Sequence, residues 1–301
     1  MSAVLVTGAS GFLGRAVVER MVSGGHAVFG LDPVAGQPAG CRAVLDDVSD
    51  ASRLEHLLVS EGITHVVHCG GVSGPMVLAD DPMRVIDVNV GGTLNLLRAS
   101  LRAQVGTFLY CSSVSAVGDY YESEPIGDDY PLRPTTTYGA SKTAMDMVLR
   151  GLWRRVPLDL CSLRFTGIYG PGRQTSYVVD DIVAAAVTGG AANVEPCSDW
   201  PYVFVDDAAD AVVAACFSTQ RRQLHYFIAY PEQVSLDDLA SAAGGGRPVP
   251  LNIEPHRAPG RRGPVDIAPA KRDFGFSPKI DHREGVRRML EAARAMSRRA
   301  I

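Results

Sequence analysis

The chain has 301 residues, of which 46% are hydrophobic and 21% charged, and it carries a net charge of −4 at pH 7. This is the make-up of a soluble globular protein long enough for one large α/β domain, alone or with a small appendage, and it lies far from the disordered and membrane classes. There is no basic excess to neutralise phosphates, so a nucleic-acid partner is not expected. No apolar run approaches the about 18 residues of a membrane span, so no membrane association is expected either.

The N-terminus enters Ala3-Val-Leu-Val6 without a basic region or a cleavage site, which points to the cytoplasm. Six cysteines (Cys41, Cys69, Cys111, Cys161, Cys197 and Cys216) are scattered without a C-x-x-C pair and are expected as buried free thiols. His65 and His68 bracket a Val-Val pair in a strand-like run and do not share a face, so no metal site is expected.

The first elements read as strand, glycine loop and helix: Ala3 to Thr7, then Gly8-Ala-Ser-Gly11-Phe-Leu-Gly14, then helical apolar spacing from Arg15 to Ser23. Glycines so placed allow a tight turn, close approach of backbone N–H groups to a pyrophosphate, and close packing of helix on strand. A second strand, Ala27 to Leu31, ends at Asp32. A carboxylate there accepts hydrogen bonds from the adenosine ribose and selects NAD over NADP, the more so because no Arg follows in Pro33-Val-Ala-Gly36.

A strand near Arg42 to Leu45 runs into Asp46-Asp47-Val48, with Ser49 as the expected N-cap of a helix from Ala51 to Ser60. Thr64 to His68 is the fourth strand and leads to Gly70-Gly71. Continuous apolar strands separated by helices imply a parallel sheet covered on both faces, with ligands at the carboxyl ends of its strands. The next helix, Asp81 to Ala103, contains a polar Asn89 and a Gly91-Gly92 pair that lower helix propensity, which suggests close packing or a cofactor contact. Thr107 to Cys111 is the fifth strand and delivers the hydroxyls of Ser112, Ser113 and Ser115 to the same end of the sheet, with Ser113 placed on the substrate.

After the break at Pro131 to Pro134, Tyr138-Gly-Ala-Ser-Lys142 sets a phenol and an ammonium one helical turn apart. A fixed cation favours the phenolate, so this pair is a proton-transfer device at neutral pH. The helix continues to about Trp153. Leu158 to Arg164 is the sixth strand, opening into Phe165-Thr-Gly-Ile-Tyr-Gly-Pro-Gly172. Beyond it the alternation loosens into a helix from about Tyr177 to Val187 and a Pro/Gly/Arg-rich segment from Gly244 to Pro269, while Tyr202 to Ala215 and Leu224 to Ala229 read as a further helix and strand of the main sheet.

Taken together, Thr7-Gly8-x-x-Gly11-x-x-Gly14, Asp32, Asn89, Ser113, Tyr138-x-x-x-Lys142 and Tyr169-Gly-Pro171 stand in the order found in the extended short-chain dehydrogenase/reductases, the NAD-dependent epimerase/dehydratase group, which the chain resembles over nearly its full length. The resemblance implies a Rossmann-like doubly wound parallel sheet with a smaller, discontinuous C-terminal substrate lobe. Residues 1–170 with about 200–230 would form the NAD-binding domain, and about 171–199 with 231–301 the lobe. It implies that Gly8, Gly11, Phe12, Leu13 and Gly14 cradle the pyrophosphate of NAD, that Asp32 holds its ribose, and that Asp47 and Val48 flank its adenine. Cys69, Gly70, Asn89 and Phe165 complete the cofactor site. Ser113, Tyr138 and Lys142 would be catalytic, Tyr138 as acid/base, Lys142 on the nicotinamide ribose and Ser113 steadying the substrate oxygen. Members of the family pair the helices around Asp81 to Ala103 and Pro134 to Trp153, so a homodimer is expected.

Departures from the family pattern bear on the substrate. Dehydratases carry acidic residues just after the serine, where this chain has Val114-Ser115, which disfavours elimination. Nucleotide-sugar members usually have Asn at the position of Gly167 and an Arg for the diphosphate at the position of Trp200, whereas Arg261 matches a second diphosphate-contacting Arg. The reading favoured by these residues is an NAD-dependent dehydrogenase acting on a secondary hydroxyl of a small carbohydrate, a sugar or sugar acid held by Ser113, Tyr138 and Arg261. The alternative is a nucleotide-sugar epimerase with tightly bound NAD.

Overall fold

The computed structural model describes residues 2–74, 77–175, 177–195, 200–253 and 263–299, with side chains to residue 296. Arg261 and Cys197 lie outside the described residues. In chain order the elements are β1 (Ala3–Thr7), α1 (Phe12–Ser23), β2 (Ala27–Asp32), β3 (Arg42–Leu45), α2 (Ala51–Ser60), β4 (His65–His68), α3 (Pro82–Ile86), a π-helical stretch Asp87–Gly92, α4 (Thr93–Arg102), β5 (Thr107–Ser113), α5 (Thr137–Leu152), β6 (Asp159–Phe165), β7 (Gly167–Tyr169), α6 (Val178–Thr188), β8 (Ala192–Val194), β9 (Trp200–Phe204), α7 (Val205–Phe217), β10 (His225–Ile228), β11 (Gln233–Val234), α8 (Leu236–Gly244), β12 (Leu251–Ile253), α9 (Ala268–Phe274) and α10 (His282–Arg299).

Seven of these strands pair in the order β3-β2-β1-β4-β5-β6-β10, all parallel. Because the strands are buried on both faces, side chains alternate between two cores. On one side Val4, Val6, Leu109 and Leu163 pack with α1 and α7; on the other, Leu5, Val66, Phe108 and Leu160 pack with α2, α4 and α5. The order reverses between β1 and β4, and the crevice at the carboxyl ends of these two strands is where a doubly wound sheet binds its ligand. The smaller, discontinuous lobe contains the pair β12-β8, and a second sheet, β11-β9-β7, joins a strand of the lobe to strands from the other stretches of chain.

Several elements differ from their sequence readings. The helix expected from Tyr202 starts only at Val205, and Trp200–Phe204 is a strand of the second sheet. Pro201 and its aromatic and β-branched neighbours favour extended backbone there. The helix expected over Asp81 to Ala103 is interrupted by the π-helical stretch, which turns Asn89 inward and lets Gly92 pack on Val48, where an added Cβ would come within 2.5 Å of Val48 Cγ2. Asp50, not Ser49, caps α2 by accepting from the Ser52 and Arg53 N–H groups. Helix α1 begins at Phe12, immediately after Gly11.

Candidate active site

The glycine loop sits at the switch point. Gly8 has φ +67°, and a Cβ on it would come within 2.7 Å of the Gly70 backbone; one on Gly14 would lie 2.0 Å from the Gly8 carbonyl oxygen. Both positions exclude a side chain. Exposed Gly11 is the N-cap of α1 and offers no capping side chain, and no acidic residue stands in the first turn. The N–H groups of the first turn, those of Phe12 and Leu13 among them, are therefore left to an outside acceptor. An anion such as a pyrophosphate fits this end of the helix.

Asp32 closes the rim. Its side chain is only 8% exposed, and its two oxygens accept from the N–H groups of Ser10 (3.0 Å) and Val34 (2.9 Å). Each oxygen keeps a lone pair for a ribose hydroxyl. Further along, Asp47 accepts from Ser49, and these hydrogen bonds hold its carboxyl below the usual carboxylate range; Val48 packs on Gly92. Gly70 lies under Gly8 and donates its N–H to Thr7 Oγ1.

Asn89 is placed differently from a simple cofactor ligand. Its Oδ1 accepts from the Val72 N–H (2.7 Å), and its Nδ2 donates to the Val72 carbonyl (3.1 Å) and to Ser141 Oγ (3.0 Å). It ties the loop after β4 to helix α5. Sequence reasoning missed a second buried clasp: Thr7 Oγ1 and Thr93 Oγ1 flank the His68 ring at 2.6 and 2.8 Å. Burial, together with the Lys142 charge, pushes the His68 imidazole down to about 3, so it is neutral and fixes the start of the glycine loop to α4. Its only sequence signal was a His inside an apolar strand.

The Tyr138 segment owes its position to its small residues. A Cβ on Gly139 would fall 2.4 Å from the Ser115 carbonyl oxygen, so glycine lets the N-terminus of α5 dock on the turn that follows β5. Thr136 caps the helix by accepting from the Gly139 N–H, Ser141 Oγ donates to the Tyr138 carbonyl, and Thr143 Oγ1 donates to the Ala116 carbonyl. Beneath, buried Asp146 on the same helix accepts from Arg164 Nε (2.8 Å) and Ser162 Oγ (2.7 Å) of β6. The helix is thereby tied to both β5 and β6.

Lys142 is 6% exposed and donates to the Cys111 carbonyl at 2.9 Å; its Nζ lies 4.8 Å from the centre of the Tyr110 ring and 5.8 Å from that of Tyr138. Burial alone would lower its pKa, but the Tyr110 and Tyr138 phenols and Cys111 more than offset this and raise it. The shift favours the ammonium form of Lys142 beside the half-buried Tyr138. Tyr110, which sequence reasoning also missed, is buried and driven upward by desolvation, so it stays a neutral phenol. Ser113, 9% exposed, caps the turn after β5 by accepting from the Ser115 N–H, and in the sheet it stands opposite Phe165. Cys69 lies against Cys111, with the sulfurs 3.5 Å apart, and this contact first and burial second push the Cys69 thiol up.

On the lobe side, the niche left by Gly167 is filled. A Cβ there would meet the Tyr177 hydroxyl at 2.2 Å and Trp200 Nε1 at 3.0 Å, while the Arg173 guanidinium stacks over the Tyr177 ring at 4.4 Å. Among the described residues no group of three His, Cys, Asp or Glu side chains gathers to hold a metal, and no helix is long and apolar enough to cross a membrane.

The chain is 29% identical over 97% of its length to a UDP-glucose 4-epimerase of Mycolicibacterium smegmatis, covering 99% of that protein. Its fold superposes with a TM-score of 0.85 on the UDP-glucose 4-epimerase of Thermus thermophilus solved with NAD, at 26% identity and covering 97% and 99% of the two chains. A UDP-glucose 4-epimerase from Stenotrophomonas maltophila, solved with NAD and a formylated UDP-arabinopyranose, gives 0.89 at 24% identity, covering 99% and 100%. Residues 4–229 match the model of the NAD dependent epimerase/dehydratase family. The chain belongs to that family, as an enzyme acting on sugars with NAD as its cofactor.

Proposed function

We propose that this protein is a nucleotide-sugar epimerase that inverts a secondary hydroxyl of a UDP-linked hexose, with Ser113, Tyr138 and Lys142 as its catalytic residues. The observation that carries the reading is similarity over essentially the whole length, substrate lobe included, to a protein that acts on such a sugar. This weighs against the net dehydrogenase expected from the sequence.

Tyr138, acting as the phenolate that the Lys142 ammonium stabilises, takes the proton of the substrate hydroxyl and becomes the phenol. Ser113 donates to the substrate oxygen as it becomes a carbonyl. NAD, when bound, supplies the hydride acceptor and returns the hydride. Tyr138 then gives its proton back to the same oxygen after the sugar has presented its other face. Val114 and Ser115 provide no carboxylate beyond Ser113, so nothing there moves a proton at a neighbouring carbon and elimination is not supported. Residues 1–170 with about 200–230 would hold the cofactor, and about 171–199 with 231–301, Arg261 among them, the sugar nucleotide.

One observation favours the dehydrogenase of a sugar acid: Trp200 stands where the family pattern has an Arg for the diphosphate, and the Tyr177-filled niche of Gly167 where it has an Asn. A thermal-shift titration with UDP separates the two readings. Stabilisation by UDP supports the epimerase, and indifference to UDP with net NADH formation from a sugar acid replaces it.

A further inference from the structure

The carboxyl ends of β4 and β5 bring together two cysteines that no step of the reaction uses. His68 stands opposite Tyr110 in the parallel pairing of these strands, so the residues that follow, Cys69 and Cys111, are neighbours across the sheet, and their sulfurs lie 3.5 Å apart. Adjacent strands run about 4.8 Å apart, inside the range of about 4.4–6.8 Å between Cα atoms that a disulfide spans. Both residues are free thiols; Cys111 is 7% exposed and Cys69 is half-buried, so a small solute reaches Cys69 first. The backbone on each side also holds a part of the site. Gly70, next after Cys69, packs on Gly8 and donates its N–H to Thr7 Oγ1 (3.2 Å), and the Cys111 carbonyl accepts from Lys142 Nζ (2.9 Å).

We propose that Cys69 and Cys111 form a reversible disulfide that weakens NAD binding and so switches the protein off, with hydrogen peroxide as the oxidant. The proposal rests on the reading of this crevice as the NAD site. Cys69 attacks the peroxide as a thiolate: an S–O bond forms, the O–O bond breaks, and the hydroxide that leaves takes up the thiol proton as water. The Cys111 sulfur then attacks the Cys69 sulfenic acid; the S–S bond forms, the S–O bond breaks, and a second water leaves with the Cys111 proton. Two thiols and one peroxide give one disulfide and two waters, the sulfurs losing the two electrons that the peroxide gains. The Cys111 contact and burial push the Cys69 thiol up, so the first step quickens as pH rises. A close-packed interior transmits the approach of the sulfurs to the backbone. On one side it shifts Gly70, which already leaves no room for a Cβ on Gly8, and on the other it shifts the carbonyl that holds Lys142.

The test treats the reduced full-length protein with hydrogen peroxide, maps its cysteines by mass spectrometry, and titrates NAD by calorimetry before treatment, after it, and after dithiothreitol. The expected product is a peptide pair joined through Cys69 and Cys111, two hydrogens lighter than the reduced pair. NAD affinity should fall tenfold or more and return on reduction. In Cys69→Ala and in Cys111→Ala, the affinity that each variant has before peroxide should be the same after it. If a variant does not fold, the mapping and the reversible loss of affinity in the wild type decide. Absence of the Cys69–Cys111 bond overturns the proposal, as does a bond that leaves NAD affinity unchanged, a loss that dithiothreitol does not reverse, or a loss that persists in either variant. Failure of NAD to bind the reduced wild type would instead overturn the cofactor reading.

Discussion

Gly139 and the Ser115 carbonyl oxygen are in direct contact across the junction of α5 and β5, close enough that a methyl group on Gly139 would sit 2.4 Å from that oxygen. This approach fixes the end of the helix that carries Tyr138 against the turn that carries Ser113. Gly139→Ala should push the two apart, at an overpacking cost of about 1–3 kcal/mol. The expected outcome is a loss of kcat larger than the loss of NAD affinity, because the glycine cradle lies on other elements. Steady-state kinetics beside NAD calorimetry checks this, and equal losses in both would contradict it.

Tyr138→Phe keeps the ring beside Lys142 and removes only the hydroxyl. Turnover should fall by about 10²–10⁴-fold, the usual worth of a general acid/base, while NAD binding and thermal stability stay near wild type. A variant that retains most of its activity would remove Tyr138 from its role.

His68 gives the protein a pH signature. Its folded value is depressed, by burial first and by Lys142 second, to about 3 from the 6.5 of a free imidazole. Between these values the unfolded chain binds a proton that the folded chain does not, so stability rises with pH across this window. The contribution is complete above pH 6.5 and is lost as pH falls toward 3. His68→Asn should flatten the dependence between pH 4 and 6 by up to about 1.4 kcal/mol per pH unit. Urea unfolding of both proteins at several pH values checks this; parallel curves would contradict it.

The homodimer expected from the family should form through α4 and α5. Met83 and Met147 are 66% and 54% exposed, and Val148 and Leu152 are half-buried on the same helices or their neighbours. Light scattering should give twice the chain mass, and Met147→Glu should lower it. A monomer at working concentration would contradict this.

Much of the site was legible because its signals are local. Gly8, Gly11 and Gly14 announce a strand-loop-helix unit, and Tyr138 and Lys142 lie one turn apart on a helix. What stayed hidden depends on partners far away in sequence. The clasp of Thr7, His68 and Thr93 spans three elements, and Asn89 showed its polarity but not its partners Val72 and Ser141. Cys69 and Cys111 read as two scattered thiols until the pairing of β4 with β5 brings them together. Trp200–Phe204 was misread because it runs directly into a helix, and only pairing with β7 and β11 settles it as a strand. The diphosphate question stayed open for a similar reason: Gly167 reads as a missing side chain, whereas the fold fills its niche with Tyr177.

The central claim is that Tyr138 removes and returns a proton at one sugar oxygen while the cofactor ends each cycle oxidised. The most direct measurement follows UDP-glucose with the NAD-loaded protein by proton NMR, with the NADH absorbance band recorded in parallel. The account predicts a mixture of the two C4 epimers, no net NADH, and loss of the interconversion in Tyr138→Phe. Unchanged UDP-glucose, or NADH accumulating in step with an oxidised sugar, would contradict it.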